Sequence, residues 1–322
     1  MDIEKFVKQY QKENASFKKK LIFHLGNSGA GFYSEYNSMI YAMVYCYYYK
    51  IQFRIYSKRT ILFNYEGYSK IFKIFHRENT NFFHRYFNKR FSDYHSNERC
   101  LSINLKEKSL LLGELLYKLI TGRYLTQDIF RTSRSKSFVG KDFDFPTLGL
   151  KGDFREIAFG FVSSFYKFNE EYENKIENLT EQLELPQDYI AMHIRGGDKI
   201  IEHDLYGEDE YIQIAERESN LKVAYVLTDD YSIYESLTKR YPLWRFYTLA
   251  SNTETGYDNS KFQSSEFAAV DKQMLNLYAS VEIIRKSKLF IGTCSSNVGT
   301  FVGMAMPEDR VRYIDTDKWH IQ

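Results

Sequence analysis

The chain has 322 residues, 27% charged and 43% hydrophobic, with 44 Lys and Arg against 42 Asp and Glu and a net charge of +2. That composition excludes a disordered chain, and the near balance of charge argues against a general nucleic-acid binder, whose affinity needs many uncompensated cations. The length suits two domains of ordinary size, and 4 prolines exclude long Pro-rich linkers.

The N-terminal stretch "MDIEKFVKQYQKENASFKKK" has no apolar run of the kind found in a signal peptide or a membrane span. The expected location is cytoplasmic or peripheral to a membrane, with a Golgi-type lumenal placement only if an N-terminal anchor was removed. "KLIFHL" (20–25) predicts a strand, "GNSGAGFYSEYNS" a glycine-rich turn, "MIYAMVYCYYYK" (39–50) a helix and "IQFRIYS" (51–57) a second strand. Residues 59–150 hold helical and aromatic segments without a clean period. "YKFNEEYENKIENLTEQLEL" (166–185) reads as an amphipathic helix closed by Pro186, which divides the chain into an N-terminal domain of residues 1–185 and a C-terminal domain of 186–322.

Beyond Pro186 the rhythm is regular. Strands are predicted at "YIAMHI" (189–194), "KVAYVLT" (222–228), "WRFYTL" (244–249), "KLFIGT" (288–293) and "RVRYID" (310–315). Helices are predicted at "DEYIQIAERES" (209–219), "YSIYESLTKRY" (231–241), 264–287 with Ser264 or Ser265 as N-cap, and "SSNVGTFVGMAM" (295–306). Alternation of strand and helix implies right-handed crossovers and a parallel sheet. Ligands of such sheets sit at the carboxyl ends of the strands. Three of those ends carry chemistry-bearing residues: His193, Arg195, Asp198 and Lys199 after the first, Asp229 and Asp230 after the second, Ser295 and Ser296 after the fourth. Turns and caps account for any one of these, since Asp, Ser and Gly favour them; three on one rim point to a site. An arginine followed by glycines suits a phosphate, because the guanidinium fork can meet two oxygens. A salt bridge of Arg195 with Asp198 is the structural alternative.

Other motifs are weaker. "GNSGAG" at 26–31 has Walker spacing, but Phe32 and Tyr33 stand where Lys and Ser/Thr are required, which argues against a P-loop. A tight turn with positive φ and a loop offering N–H groups to a ligand remain equally open. "DFD" (142–144) and "DTD" (315–317) fit turns or solvated strand ends better than a metal site. No paired-histidine spacing is present, and neither a metal nor another cofactor is expected. Cys46, Cys100 and Cys294 show neither zinc spacing nor a disulfide framework.

"HIRGGDKIIE" resembles the H-[VI]-R-R-x-D-K segment, with a following Glu, of GDP-fucose-dependent fucosyltransferases, above all the α1,6-fucosyltransferases. "YVLTDDYSIYESLTKRYP" is similar to their T-D-D motif and following helix, and "LFIGTCSSNVGTFVGMAM" to their F-x-x-x-T-x-S-S-x-V segment, in the same order and spacing. The resemblance covers roughly residues 166–306 well and the glycine loop loosely. It implies a GT-B architecture, two Rossmann-like domains facing across a cleft, and an inverting, metal-independent transfer of fucose from GDP-fucose to an oligosaccharide or glycoconjugate hydroxyl. By position, Arg195 matches the arginine at the β-phosphate, His193 the histidine of the nucleotide site, Asp198 and Lys199 the D-K pair, and Asp229 and Asp230 the paired donor-site aspartates. Ser295 and Ser296, at a helix start, are placed to give hydroxyl and N–H donors to a phosphate. Glu202 resembles the general base; it lies one residue closer to Lys199 than in the animal enzymes, and the same deletion aligns Tyr211 with their tyrosine. Gly196 replaces the family's second arginine, and the acid expected in the long helix falls near Ser280, with Glu282 the nearest carboxylate. Two other readings stay open: a GT-B transferase using another nucleotide sugar, and a non-catalytic nucleotide- or carbohydrate-binding protein of the same fold.

Overall fold

The computed structural model describes residues 2–26, 29–58, 60–63, 65–76, 78–88, 105–196, 206–256, 262 and 266–321. It is of the mixed α/β class, and the chain divides into two compact units, Met1–Asn169 and Glu170–Gln322.

In the first unit α1 (Ile3–Ser16) starts at Asp2, whose side chain accepts from Lys5 N. Then follow β1 (Lys19–His24), α2 (Phe32–Tyr48), β2 (Ile51–Tyr56), α3 (Phe83–Tyr86), α4 (Leu105–Thr121) and β3 (Arg123–Leu125). The short α5 (Thr126–Phe130) and α6 (Lys136–Val139), the antiparallel pair β4 (Phe143–Phe145) and β5 (Leu150–Gly152), and α7 (Phe154–Phe165) complete it. The parallel sheet has the order β2-β1-β3. Helix α2 begins at Phe32, so "FYSEYNS" is helix rather than turn. The bend ends at Gly31, and Gly26, whose φ is +85°, makes the turn and gives its N–H to buried Glu35 at 3.0 Å.

The abundant aromatics have a structural use in this unit. Phe32 stacks on Phe72 at 5.8 Å, Phe72 on Tyr68 at 4.9 Å, and Tyr166 meets Tyr36 edge-on at 5.3 Å. Several hydroxyls are paired inside, Tyr33 with Tyr166 at 2.7 Å and Tyr68 to the Phe165 carbonyl at 3.1 Å, so these three tyrosines are buried without stranding a polar group.

The second unit runs α8 (Glu170–Glu181), β6 (Ile190–His193), α9 (Glu208–Glu218), β7 (Val223–Leu227), α10 (Tyr231–Arg240), β8 (Arg245–Tyr247), α11 (Phe267–Lys286), β9 (Leu289–Gly292), α12 (Asn297–Ala305) and β10 (Val311–Tyr313). The unit starts at α8, ahead of the expected boundary at Pro186, because α8 is fastened to α11: buried Tyr172 donates to Asp271 Oδ1 at 2.7 Å and its ring meets Tyr278. Ser264 and Ser265 lie outside the described residues; the residue at the N-cap of α11 is Glu266, without a side-chain capping bond.

All five strands are parallel, in the order β10-β9-β6-β7-β8. The two-residue period of β6 sends Ile190 and Met192 into one core with Tyr211, Ile212 and Leu237, and Ala191 into the other with Ile283, Ile284 and Val302. Helices therefore cover both faces. The chain winds outward from β6 through β7 to β8, then returns to place β9 on the other side of β6. That reversal is a topological switch point, and in sheets of this kind ligands bind outside the carboxyl ends of the strands that flank it, here β6 and β9.

Candidate active site at the switch point of the second sheet

At the end of β6, His193 is buried and in touch with the start of α12. Its Nδ1 lies 3.4 Å from Ser296 Oγ, a hydroxyl that donates to the Thr293 carbonyl at 3.0 Å and accepts from Gly299 N at 2.8 Å. One lone pair of that oxygen is left for His193 Nδ1–H, which assigns the proton to Nδ1 and leaves Nε2 as an acceptor. Burial, with the Arg195 charge adding to it, pulls the imidazole from its ordinary 6.5 to about 3, so His193 is neutral at physiological pH. Its carbonyl accepts from the Tyr211 hydroxyl at 3.0 Å. Tyr211 is buried in the core, and burial holds its phenol well above its ordinary value. Its hydroxyl is thus engaged in fixing the end of β6.

Arg195 comes two residues later and is half-buried. Among the described residues its guanidinium makes no hydrogen bond or ion pair. Gly196 follows, and its N–H donates to Asp229 Oδ1 at 2.8 Å, which ties the end of β6 to the end of β7. A Cβ at position 196 would lie 2.5 Å from Asp230 Cβ. The glycine therefore permits close backbone approach, and an arginine side chain at 196 does not fit this backbone. Asp230 is the N-cap of α10, accepting from Ser232 N at 3.0 Å. Asp198, Lys199 and Glu202 lie outside the described residues, and so does the alternative ion pair of Arg195 with Asp198.

At the end of β9, Ser296 is the N-cap of α12 and is buried, so its hydroxyl is spent on the helix and on His193. Ser295 is half-buried, and among the described residues its hydroxyl makes no hydrogen bond. The backbone amides here are held by Asp315, which accepts from Cys294 N and Ser295 N, each at 2.8 Å. The "DTD" segment is thus more than a solvated strand end: β10 lies beside β9, and Asp315 just past it reaches back across the neighbouring loop. Only the strand order reveals this, and the linear sequence does not state it. Cys294 is buried, its thiol pushed up to about 11 mainly by burial, and its sulfur contacts the His320 backbone. It is no nucleophile in this arrangement.

Glu254 is a further residue that sequence reasoning missed. Thr255 bridges to Asp230, and Gly256 N donates to the Asp229 carbonyl at 2.8 Å, which brings Glu254 against the aspartate pair. Burial first, then the Asp229 charge, raises its carboxyl. In α11, Ser280 is buried and accepts from Tyr225 OH at 2.7 Å, while Glu282 pairs with Arg285 at 2.5 Å. Asp144 of "DFD" is exposed beside Lys151 at 3.9 Å. Among the described residues no group of three His, Cys, Asp or Glu side chains is placed to hold a metal ion.

The rim therefore joins His193, Arg195, Asp229, Asp230, Ser295 and Ser296. Among the described residues it offers a cation without a counter-ion, a hydroxyl donor, and a neutral histidine acceptor. Such a set can hold an anionic group beside a neutral, hydrogen-bonding one.

No family model matches the sequence, and no curated protein matches it. Solved structures do resemble it. Fucosyltransferase NodZ from Bradyrhizobium is 12% identical, with 89% of this chain and 92% of that one covered and a TM-score of 0.45. POFUT1 in complex with GDP-fucose is 10% identical, covering 94% and 99%, with a TM-score of 0.45. A mutant of Arabidopsis thaliana FUT1 in complex with GDP is 12% identical, covering 96% and 75%, with a TM-score of 0.47. At these values function must be argued from the chain's own residues.

Proposed function

We propose that the second unit binds the GDP of GDP-fucose and that the chain transfers fucose to a glycan hydroxyl, with inversion and without a metal. The observation that carries this is Arg195: a half-buried guanidinium, without a counter-ion among the described residues, beside the switch point and next to a neutral histidine. A cation left open there is suited to a phosphate oxygen. The order and spacing of the three motifs at the ends of β6, β7 and β9 support the same assignment.

The chemistry is a single displacement. The acceptor oxygen bonds to the anomeric carbon as the bond from that carbon to the β-phosphate oxygen breaks, and the electron pair leaves with GDP. Negative charge grows on the phosphate as the sugar passes through an oxocarbenium-like state. Arg195 gains strength with that charge, so it lowers the barrier more than it tightens the ground state. Glu202 is assigned to take the proton of the acceptor hydroxyl, and Asp198 and Lys199 to the donor.

Gly196 favours a second reading. The cation that the family carries there is absent, and the close approach of Asp230 leaves no space for it. A GT-B transferase using another GDP-sugar meets that condition as well. GDP release, followed with GDP-fucose and GDP-mannose against a panel of oligosaccharides in EDTA, separates the two. Release with GDP-fucose alone supports the first reading, and release with GDP-mannose alone the second. GDP binding without turnover by any donor leaves a non-catalytic binder. Glu202→Gln is expected to keep GDP affinity and lower turnover on the order of a hundredfold or more. Weaker affinity with unchanged turnover would remove Glu202 from the role of base.

A further inference from the structure

The loop after β9 is fastened by the end of β10 and the residues that follow it. Ile314 N donates to the Gly292 carbonyl at 2.9 Å, the Tyr313 hydroxyl to the Gly299 carbonyl at 3.1 Å, and Trp319 Nε1 to the Thr300 carbonyl at 2.9 Å. Thr300 Oγ1 donates to the Cys294 carbonyl at 2.8 Å, which ties the loop to the first turn of α12. These partners are neutral. Asp315 brings a charge: its Oδ1 takes the N–H of Cys294 and its Oδ2 that of Ser295, each at 2.8 Å. Two such bonds from one carboxylate fix the orientation of the peptide between residues 294 and 295. The carboxylate is also felt at the end of β6. After burial, its charge is the largest cause that raises the Tyr211 phenol, whose hydroxyl holds the His193 carbonyl.

By charge alone Asp315 disfavours an anion at this rim, and it occupies two N–H groups of the kind that bind phosphate. What it leaves is the Ser295 hydroxyl. Ser295 is half-buried, its hydroxyl makes no hydrogen bond among the described residues, and its backbone is the one that Asp315 holds. The hydroxyl of Ser296 is already taken by Gly299 N, the Thr293 carbonyl and His193. We propose that Asp315 is a positioning residue for the donor site: it holds the backbone of residues 294 and 295 so that the Ser295 hydroxyl donates to the phosphate bound by Arg195. The role rests on the proposed binding of GDP.

Charge and position predict opposite effects, and titration of GDP into the full chain separates them. The proteins are wild type, Asp315→Asn, Ser295→Ala and the double variant, all well below their unfolding midpoints so that a loss of stability does not enter the affinity. Asparagine keeps the size of the side chain but offers one oxygen, and its NH2 meets the second N–H. If Asp315 acted by charge alone, Asp315→Asn would bind GDP more tightly. The expected result is weaker binding by about tenfold. Ser295→Ala should cost about tenfold in the wild type and less than about twofold in the Asp315→Asn background, because the second change removes what the first has already displaced. Asp315→Glu, which keeps the charge and moves both oxygens by one methylene, should also weaken binding. Additive losses in the double variant, or GDP binding by Asp315→Asn or Asp315→Glu as tight as in the wild type, overturn the proposal and leave the donor site standing. Absence of GDP binding by the wild type contradicts the donor site itself, and the role of Asp315 with it.

Discussion

A half-buried guanidinium with no carboxylate against it among the described residues costs a folded chain desolvation that nothing described returns, and on the proposed function a ligand anion supplies a partner. At Arg195 the neighbours are arranged consistently with that role. His193 stays neutral and so does not compete for the anion, and Tyr211 fixes the backbone from which the arginine projects. The buried histidines also set a dependence of stability on pH. His193 is pulled from 6.5 to about 3, and His84 in the first unit to about 4, both chiefly by burial. A base with a lowered folded pKa is neutral in both states above 6.5. Below that value the unfolded chain takes up a proton that the folded one refuses, so stability falls with falling pH. Each histidine contributes up to about 1.4 kcal/mol per pH unit between its folded value and 6.5. Urea midpoints measured between pH 7 and pH 5 should fall, and His84→Asn should flatten the slope. An unchanged slope in that variant would place the proton uptake elsewhere.

Among the elements, the loop from β9 into α12 depends on a residue from the next strand. Asp315 closes two backbone N–H groups that would otherwise lack a partner. Asp315→Ala should cost ~1–3 kcal/mol and lower the thermal midpoint. An unchanged midpoint would mean that water replaces the carboxylate without loss. Elements were legible in the sequence where one period ruled. The strands and helices of the second unit stand within a few residues of their expected bounds, because the central strands are apolar runs bounded by turn chemistry and strand alternates regularly with helix. Residues 59–150 were not legible, and α4 shows why: its apolar stripe faces outward, and Glu114 is on the inside. The early start of α2 was hidden for another reason. Its first turns are buried all round, with Phe32, Tyr33, Glu35 and Tyr36 inside, so no amphipathic period marks them.

For the whole molecule, the boundary between the units follows packing rather than the proline. Pro186 ends the amphipathic segment, yet the Tyr172–Asp271 bond places the preceding helix with the second sheet. A fragment of residues 170–322 should therefore unfold cooperatively and at a higher temperature than one of 186–322; equal midpoints would detach α8 from that unit. The site was legible where it consists of neighbours in sequence after one strand, as with His193 and Arg195. It was illegible where residues meet only through strand order or a returning loop, as with Asp315 and Glu254. The most direct test of the donor site is a calorimetric titration of GDP, in EDTA, into the full chain and into Arg195→Ala. Saturable binding that falls by about tenfold or more in the variant is the result expected from loss of a charge-assisted contact. Equal affinity in both proteins, or no binding by the wild type, would contradict the assignment of Arg195 and with it the nucleotide site.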